Sequence, residues 1–273
     1  MSSGAIVLKS LEEIECIRRS SLLVGKTLAA VAAELKPGVT TAYLDGIAEK
    51  FILDNQAKPS FKGYHGYKHT LCISVNEEIV HGIPGGRVIR DGDLVSIDCG
   101  VFLDGFHGDS AYTFPVGEVD SEKLRLLQVT KTALEKGIEQ ARAGNRVGDI
   151  SSAIQEYAES FGYGVVRELV GHGIGRNLHE KPEVANYGKK GSGPVLKTGM
   201  TIAIEPMINM GGRQIRQMSD GWTVTTHDNK PAAHFEHTVA VKEDCADILS
   251  SFSLIELAIR SNVNLTEVTA VLE

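Results

Sequence analysis

The sequence predicts an α+β fold built from two related halves, and three observations support this prediction. Pairs of helix-like segments occur twice along the chain, and strand-like segments with alternating apolar residues follow each pair. In addition, residues 90–98 resemble residues 197–205 at an offset of 107 (205 minus 98), and both copies run from a turn through a strand to a carboxylate. A unit that occurs twice in this way favours two pseudo-symmetric halves that face each other across a central cleft.

The first helix is predicted to begin after Ser10, which forms a capping-box pattern with Glu13. Apolar residues continue at helical spacing until Lys36-Pro37-Gly38 ends the helix. Three further helices are predicted at residues 42–56, 121–142 and 148–161. The last two are separated by Ala143-Gly144-Asn145, and this break corresponds to the break at Gly38.

Length and composition indicate an ordinary globular protein of one or two domains. Of the 273 residues, 42% are hydrophobic and 23% are charged, and no apolar run is long enough to span a membrane. We expect one main domain over residues 1–250, made of repeats at about 10–115 and 120–250. Residues 251–273 carry apolar residues at helical spacing, which predicts a helical C-terminal extension that packs on the body or on a partner.

Charge, cysteine usage and the N-terminal sequence indicate which kinds of partner the protein binds and in which cellular compartment it occurs. The net charge of -7 argues against binding to nucleic acid. The N-terminus has no basic region followed by an apolar core, so no secretory signal is expected. The four cysteines occur singly, in neither a disulfide framework nor a zinc-type pair. We therefore expect a cytoplasmic protein that binds neither nucleic acid nor membranes.

A predicted β-hairpin places two carboxylates on one face of a sheet. Asp104-Gly105 is a typical two-residue turn, and strand patterns flank it at about 94–103 and 106–114. The register that follows from this turn makes Asp98 and Asp109 diagonal neighbours on the same face. The two carboxylates are then close enough to share a cation.

Two further carboxylates occupy similar positions in the second half of the chain. Glu205 closes the strand pattern TIAI, and Glu236 lies in AHFEHTVAV on the face opposite the apolar residues. A single acidic residue in a strand is usually a solvated surface group. Four at one cleft are different, because each close pair repels by roughly 4 kcal/mol at 4 Å in a protein-like dielectric. If the fold brings them together, the cluster must bind cations or protons.

The segment VGHGIGRNLHE, residues 170–180, carries two histidines among three glycines that disfavour a helix. The glycine neighbours let the backbone approach closely and leave the His172 imidazole free to act as a nitrogen ligand. Together with four carboxylates this makes a donor set of mostly hard oxygen, whose charge two divalent ions would balance. Such a set favours manganese, iron or cobalt over the sulfur-rich surroundings of structural zinc.

Seven motifs occur in this order along the chain: GYHGY, HGIPGG, IDCGVFLDGFHGDSA, GHGIGRNLHE, IEPM, DGWTV and FEHTVAV. Together they closely resemble bacterial-type methionine aminopeptidases of type I, a branch of the pita-bread metallohydrolases. The resemblance covers about residues 6–250 and implies a pita-bread fold, with a curved antiparallel sheet and helices on its outer face. It also implies hydrolysis that releases the N-terminal initiator methionine from nascent proteins and peptides, with preference for a small second residue.

The resemblance also implies a metal centre and its chemistry. Asp98 would bind one ion, Asp109 and Glu236 would bridge a pair, and His172 with Glu205 would complete the second. The implied cofactors are two divalent metal ions, for which Co, Mn, Fe, Ni and Zn all remain open. A water held between the ions is the implied nucleophile, and Glu205 is the implied general base.

Further residues are implied by the same resemblance to contact the substrate. His81 and His179 match two histidines that bind no metal and contact the substrate amide. The pocket for the methionine side chain would be lined by Phe61, Tyr64, Tyr67, Cys72, Leu178 and Trp222. His65 stays open between a role in the cleft and simple surface exposure. The remaining histidines are expected to be structural or solvated: His69, His107, His227, His234 and His237.

Two other functions compete with this interpretation. One is a proline-directed aminopeptidase or dipeptidase of the same fold, whose members usually carry an additional N-terminal domain. The other is a binding module that has kept the fold and lost catalysis, which is disfavoured because all five ligand types are present. We expect a monomer that acts on the N-terminal methionine of nascent polypeptides, and we leave association with the ribosome open.

Overall fold

Five α-helices and fifteen short β-strands make up residues 5–268, the part of the chain that this computed structural model describes. The helices are α1 Leu11–Glu34, α2 Thr41–Asp54, α3 Ser121–Glu139, α4 Val147–Ser160 and α5 Ser253–Ser261. A short 3-10 turn spans Tyr64–Gly66. No helix among the described residues combines the length and the apolar character needed to cross a membrane.

The strands form several antiparallel sheets, and they are numbered in chain order. They are β1 Lys58–Pro59, β2 Leu71–Val75, β3 Glu78–Val80, β4 Leu94–Leu103, β5 Phe106–Pro115, β6 Gly164–Val165, β7 Gly171–Gly173, β8 Glu180–Val184, β9 Thr201–Ile204, β10 Met207–Asn209, β11 Ile215–Gln217, β12 Val224–Thr226, β13 Ala232–His234, β14 His237–Val241 and β15 Ala246–Ile248. All of the strand pairs named below are antiparallel.

Two of these sheets carry or border the five predicted metal ligands. In the first half, β4 pairs with β5 over its whole length and with β2 and β1 over parts of it. In the second half, the strand order is β15-β14-β9-β7-β8. Each half thus begins with two helices and continues into antiparallel strands. The predicted α+β fold is confirmed, and the helix pair recurs as the sequence indicated.

The helices begin and end close to the predicted positions. Ser10 Oγ accepts a hydrogen bond from the Glu13 N–H, and Glu13 Oε2 accepts one from the Ser10 N–H, so the capping box at the start of α1 is confirmed. Helix α3 stops at Glu139, earlier than the predicted residue 142. The chain leaves the helix there because the N–H groups of Ala143 and Gly144 bond to carbonyl groups of the second-half sheet region.

The largest hydrophobic core lies between the helices and the sheets. Helix α1 packs against β4 and β5, and α3 packs against α4 and contacts β9, β10 and β13. Buried residues of α1 such as Val24, Leu28 and Val31 belong to the same cluster as Ile97 of β4 and Ile202 of β9. One continuous core therefore supports the inner sheet surfaces of both halves.

The C-terminal segment is helical over a shorter stretch than expected. Helix α5 covers Ser253–Ser261 and packs against α1, after which the chain turns at Asn262. The Asn262 side chain donates to the carbonyl groups of Ala32 and Leu35 at 2.8 Å each, and so satisfies the C-terminal end of α1. Residues 269–273, also part of the predicted extension, lie outside the described residues.

We expect that Ile255→Ala in α5 will lower the free energy of unfolding by about 2–5 kcal/mol, the usual cost of truncating a buried isoleucine. Ile255 is fully buried, whereas Leu257 on the same helix is 55% exposed. The matched control Leu257→Ala should therefore change stability by less than about 0.5 kcal/mol. Urea unfolding of both variants measures the difference. Equal stabilities would show that α5 does not contribute to the folded core.

Candidate active site

The long hairpin β4–β5 carries two carboxylates in the predicted arrangement. Asp98 pairs with Ala111, and Asp109 pairs with Gly100, so the two acids are diagonal neighbours on one face. The predicted strands of the hairpin and their register are therefore confirmed. Asp109 is 3% exposed, which places its carboxylate deep in the protein.

The other two carboxylates come from the second half and meet the hairpin through backbone hydrogen bonds. His237 pairs with Ile204 in the β14–β9 ladder, so Glu236 and Glu205 each lie one position beyond that pair. The Glu236 N–H donates to the Ala111 carbonyl at 3.0 Å. This bond fixes Glu236, which is only 2% exposed, beside the acids of the first half.

His172 lies at the centre of β7, between two glycines that the packing requires. A Cβ on Gly171 would approach the Ala203 carbonyl oxygen to 2.4 Å, and one on Gly173 would approach the Lys181 oxygen to 2.3 Å. Any larger residue would push the neighbouring strands apart. The glycines therefore allow the backbone contact that brings the His172 imidazole to the cleft.

All five predicted metal ligands line a single cavity of about 410 Å³. Asp109, His172 and Glu236 each offer a ligand atom, and these three atoms lie within 4.8 Å of one another. His172 Nε2 is 3.6 Å from Glu205 Oε1 and 4.0 Å from Asp109 Oδ2. Asp98 lines the same cavity, next to Asp109 on the hairpin face.

The donor atoms fit a group of divalent cations. Asp98 Oδ1, Asp109 Oδ1 and Glu236 Oε1 are buried oxygens that have no hydrogen-bond partner. Buried polar atoms are normally paired, and unpaired carboxylates in close contact repel each other. His172 Nδ1 bonds to the Gly173 carbonyl at 2.9 Å, which leaves the Nε2 lone pair for a metal ion. Hard oxygen donors with one such imidazole are typical of sites for divalent transition metals.

Burial favours the neutral form of each of these groups, and so it raises the pKa values of the carboxyl groups and lowers the pKa of the imidazole. It raises the pKa of Asp98 to about 7. Burial first, and then repulsion by neighbouring carboxylates, raises the pKa values of Asp109, Glu205 and Glu236 well above the usual range. Burial also lowers the pKa of His172 to about 4. A divalent cation would reverse the effect on the carboxylates, because it favours their ionised form.

We expect the metal-free protein to lose stability as pH rises from 6.5 to 8. In the unfolded chain carboxyl groups ionise near pH 4, whereas burial keeps these groups protonated in the folded protein to a higher pH. Because the folded state then binds more protons than the unfolded state, its stability falls as pH rises, until the raised pKa values are reached. Buried histidines with lowered pKa values affect the stability of the folded protein only below about pH 6.5, where they become protonated in the unfolded chain. Melting temperatures measured in chelator and in excess Mn²⁺ provide the test: the fall should disappear with metal, and a flat metal-free profile would contradict it.

The predicted methionine pocket is an apolar cluster beside the acids, separate from the main core. Tyr67 and Trp222 meet with ring centroids 5.0 Å apart, and the Tyr67 hydroxyl donates to the Leu71 carbonyl at 2.8 Å. All six predicted residues belong to this cluster and line the cavity: Phe61, Tyr64, Tyr67, Cys72, Leu178 and Trp222. Ile83 of the HGIPGG motif also packs against the cluster, although it was not predicted to line the pocket.

His81 and His179 line the same cavity, and Tyr64 holds one of them. The Tyr64 hydroxyl is 2.6 Å from His179 Nδ1, and the His179 ring meets the His172 ring with centroids 4.2 Å apart. Burial raises the pKa of Tyr64, so its hydroxyl stays protonated and can donate to His179 Nδ1 when the His179 proton is on Nε2. His65, which was left open by the sequence, also lines the cavity and is exposed.

His234 was expected to be structural or solvated, and the structure shows that it is buried and also faces the cavity. It is 1% exposed, lines the cavity, and places Nε2 3.7 Å from Glu205 Oε2. Strand alternation contains the missing signal, because residues 234 and 236 fall on the same face. Other cavity residues had no signal in the sequence: Val80, Glu168, Leu169, Val170 and Met207. His69, His107, His227 and His237 are not among the lining residues.

Known proteins share both the sequence and this architecture. The model of metallopeptidase family M24 matches residues 15–243. Methionine aminopeptidase 1 of Bacillus subtilis is 49% identical over 245 residues, which are 90% of this chain and 99% of that protein. The crystal structure of methionine aminopeptidase from Rickettsia prowazekii has a TM-score of 0.89 and 42% identity, and the match covers 90% of this chain and all of that one.

The same fold occurs in a proline-directed relative at a greater distance. The prolidase from Pyrococcus furiosus has a TM-score of 0.74 and 25% identity, and the match covers 90% of this chain and 65% of the prolidase. Its identity, and the share of its own chain that is matched, are lower than those of the two aminopeptidases. The pita-bread fold is thus confirmed by both groups of solved structures. The chain belongs to metallopeptidase family M24 and, within that family, to the methionine aminopeptidases.

Proposed function

We propose that this chain releases N-terminal methionine from nascent proteins and peptides with the help of two divalent metal ions, and that it prefers a small second residue. Its membership of the methionine aminopeptidases makes it a metallopeptidase that acts on N-terminal methionine. The observation that carries the site assignment is the set of buried, unpaired carboxylate oxygens in one cavity with the His172 imidazole.

Five side chains would hold the metal ions: Asp98, Asp109, His172, Glu205 and Glu236. Divalent ions in such a site supply Lewis acidity, and they lower the pKa of water so that it can attack an amide at neutral pH. Asp109 and Glu236 have the most buried carboxylates, and their ligand atoms belong to the same tight group. This supports a bridging role for both of them.

Glu205 is suited to the role of general base. Burial raises the pKa of its carboxyl group in the metal-free protein, and bound cations would favour the ionised carboxylate that a general base requires. Its Oε1 lies 3.6 Å from His172 Nε2, at the edge of the proposed metal group. Glu205 would therefore transfer the proton, while the other carboxylates would bind the metal ions.

His179 and His81 would bind the substrate amide as neutral imidazoles. Burial lowers the pKa of His179 to about 3 and also lowers that of His81. With the Tyr64 hydroxyl donating to His179 Nδ1, the His179 proton would lie on Nε2, where it can be donated to a substrate carbonyl. Such a donor stabilises the charge that develops on the oxygen during hydrolysis.

The apolar cluster beside the carboxylates would receive the methionine side chain. Aromatic rings contact thioether sulfur favourably, by up to about 1.5 kcal/mol, and Tyr67 with Trp222 provides two such rings. All four cysteines are free, which supports a reducing compartment such as the cytoplasm.

Peptide hydrolysis tests the proposal directly. We expect free methionine from Met-Ala-Ser in the presence of Mn²⁺ or Co²⁺, little from Met-Phe-Ser, and none from either after treatment with a chelator. An Ala-Pro dipeptide serves as the substrate for the competing prolidase function. Cleavage of Ala-Pro without cleavage of Met-Ala-Ser would overturn the proposal. A chain that binds metal and cleaves neither peptide would favour the binding module.

A further inference from the structure

We propose that His234 is a positioning residue, which donates its Nε2–H to Glu205 Oε2 and thereby fixes the orientation of the Glu205 carboxylate. The inference deepens the proposed function, because it rests on Glu205 acting as the base. His234 was not among the residues that the family resemblance implied. Its position follows from the contacts of this chain alone.

The His234 main chain is fixed while its ring is left without partners. The His234 N–H donates to Thr113 Oγ1 at 2.9 Å, and the His234 carbonyl accepts from the same hydroxyl at 2.7 Å. Antiparallel pairing with Met207 holds the strand from the other side. Both ring nitrogens are buried and have no hydrogen-bond partner. Buried polar atoms normally have a hydrogen-bond partner. Packing alone therefore does not explain why this buried position in the cavity holds an imidazole.

Glu205 lies between the imidazoles of His172 and His234, which differ in whether Nδ1 has a hydrogen-bond partner. His172 Nε2 is 3.6 Å from Glu205 Oε1, and His234 Nε2 is 3.7 Å from Glu205 Oε2. His172 donates from Nδ1 to the Gly173 carbonyl at 2.9 Å, which leaves a lone pair on Nε2, as a metal ligand requires. His234 Nδ1 has no such acceptor. Of the two rings, only that of His172 is therefore oriented to bind a metal ion through Nε2.

The proton of a neutral His234 ring is consequently best placed on Nε2. On Nδ1 it would be a buried donor without an acceptor, whereas on Nε2 it faces a carboxylate oxygen. A movement of about 0.8 Å shortens the contact to about 2.9 Å, an ordinary charge-assisted hydrogen bond. With Oε2 held by His234, Oε1 remains as the oxygen that faces His172 and accepts the proton from water.

Three substitutions separate a hydrogen-bond donor from a packing residue. His234→Gln keeps an N–H at the reach of Nε2, His234→Asn keeps one only at the reach of Nδ1, and His234→Leu removes both. We expect Leu and Asn to lower kcat for Met-Ala-Ser by about 10- to 100-fold, the usual effect of losing a residue that orients a ligand. KM should stay within about threefold, and Gln should recover most of kcat. Full activity in His234→Leu, or equal loss in Gln and Leu, would overturn the proposal.

The ring itself provides a readout that does not depend on activity. In the full-length Zn²⁺-loaded protein, nitrogen-15 NMR of the histidine side chains distinguishes a protonated Nε2 from a protonated Nδ1. We expect Nε2–H for His234 and Nδ1–H for His172. An unprotonated Nε2 on His234 would refute the donor role. If wild-type protein fails to cleave Met-Ala-Ser, the proposed function fails, while the NMR result still decides whether His234 donates to Glu205.

Discussion

Asp109→Ala is expected to abolish measurable turnover of Met-Ala-Ser. Asp109 contributes one of the three ligand atoms that lie within 4.8 Å of one another, and it would bridge both ions. Loss of residues that only support a metal ligand costs about 10- to 100-fold, so loss of a bridging ligand should cost more than about 100-fold. Activity assays in excess Mn²⁺, together with the metal content of the purified variant, provide the measurement.

The same substitution should have the opposite effect on the stability of the metal-free protein. Burial and the neighbouring acids raise the pKa of Asp109, which means that its ionised form destabilises the fold when no cation is present. In chelator at pH 8, Asp109→Ala should therefore melt at or above the wild-type temperature. Activity and stability would then respond in opposite directions, as expected for a residue that serves function.

Asp104→Asn in the same hairpin is a suitable control for this experiment. Asp104 lies at the exposed turn with a φ of 52°, which asparagine also tolerates, and its ion pair with Arg19 is largely solvated. Activity and metal content should stay close to wild type. If Asp109→Ala behaved like this control, the assignment of Asp109 as a metal ligand would be wrong.

Local sequence rules were sufficient for the hairpin that carries half of the site. Asp104-Gly105 determines the register because a two-residue turn leaves no freedom in pairing, and the observed pairs of Asp98 and Asp109 follow from it. The capping box at Ser10 likewise determines where α1 begins. These features depend on residues close in sequence, so the physics that sets them is visible in the sequence itself.

Features that depend on distant residues were predicted less well. His234 lies in the cavity because its strand pairs with Met207 and its backbone bonds to Thr113, more than a hundred residues away. Asn262 ends the C-terminal helix while its side chain bonds to the end of α1. Alternation puts His234 on the same face as Glu236, but the tertiary hydrogen bonds that fix His234 and Asn262 cannot be deduced from local periodicity.

Glu205→Gln should lower kcat by about 10²- to 10⁴-fold, which is the typical contribution of a general base. The amide keeps the shape and one oxygen of the carboxylate, but it cannot accept a proton from water. Its place at the edge of the metal group suits contact with the attacking water, and bound cations would keep its carboxylate ionised and able to accept a proton. KM should change little, because the apolar pocket for methionine is untouched.

Metal content distinguishes loss of the base from loss of a ligand in this variant. Asp109, His172 and Glu236 keep their mutual contact without Glu205, so we expect Glu205→Gln to retain most of its bound metal while it loses kcat. Glu135→Gln, the same change on the exposed face of α3, serves as the control and should leave both quantities unchanged. A variant that lost metal and activity in parallel would make Glu205 chiefly a ligand. Retention of both would exclude it from proton transfer altogether.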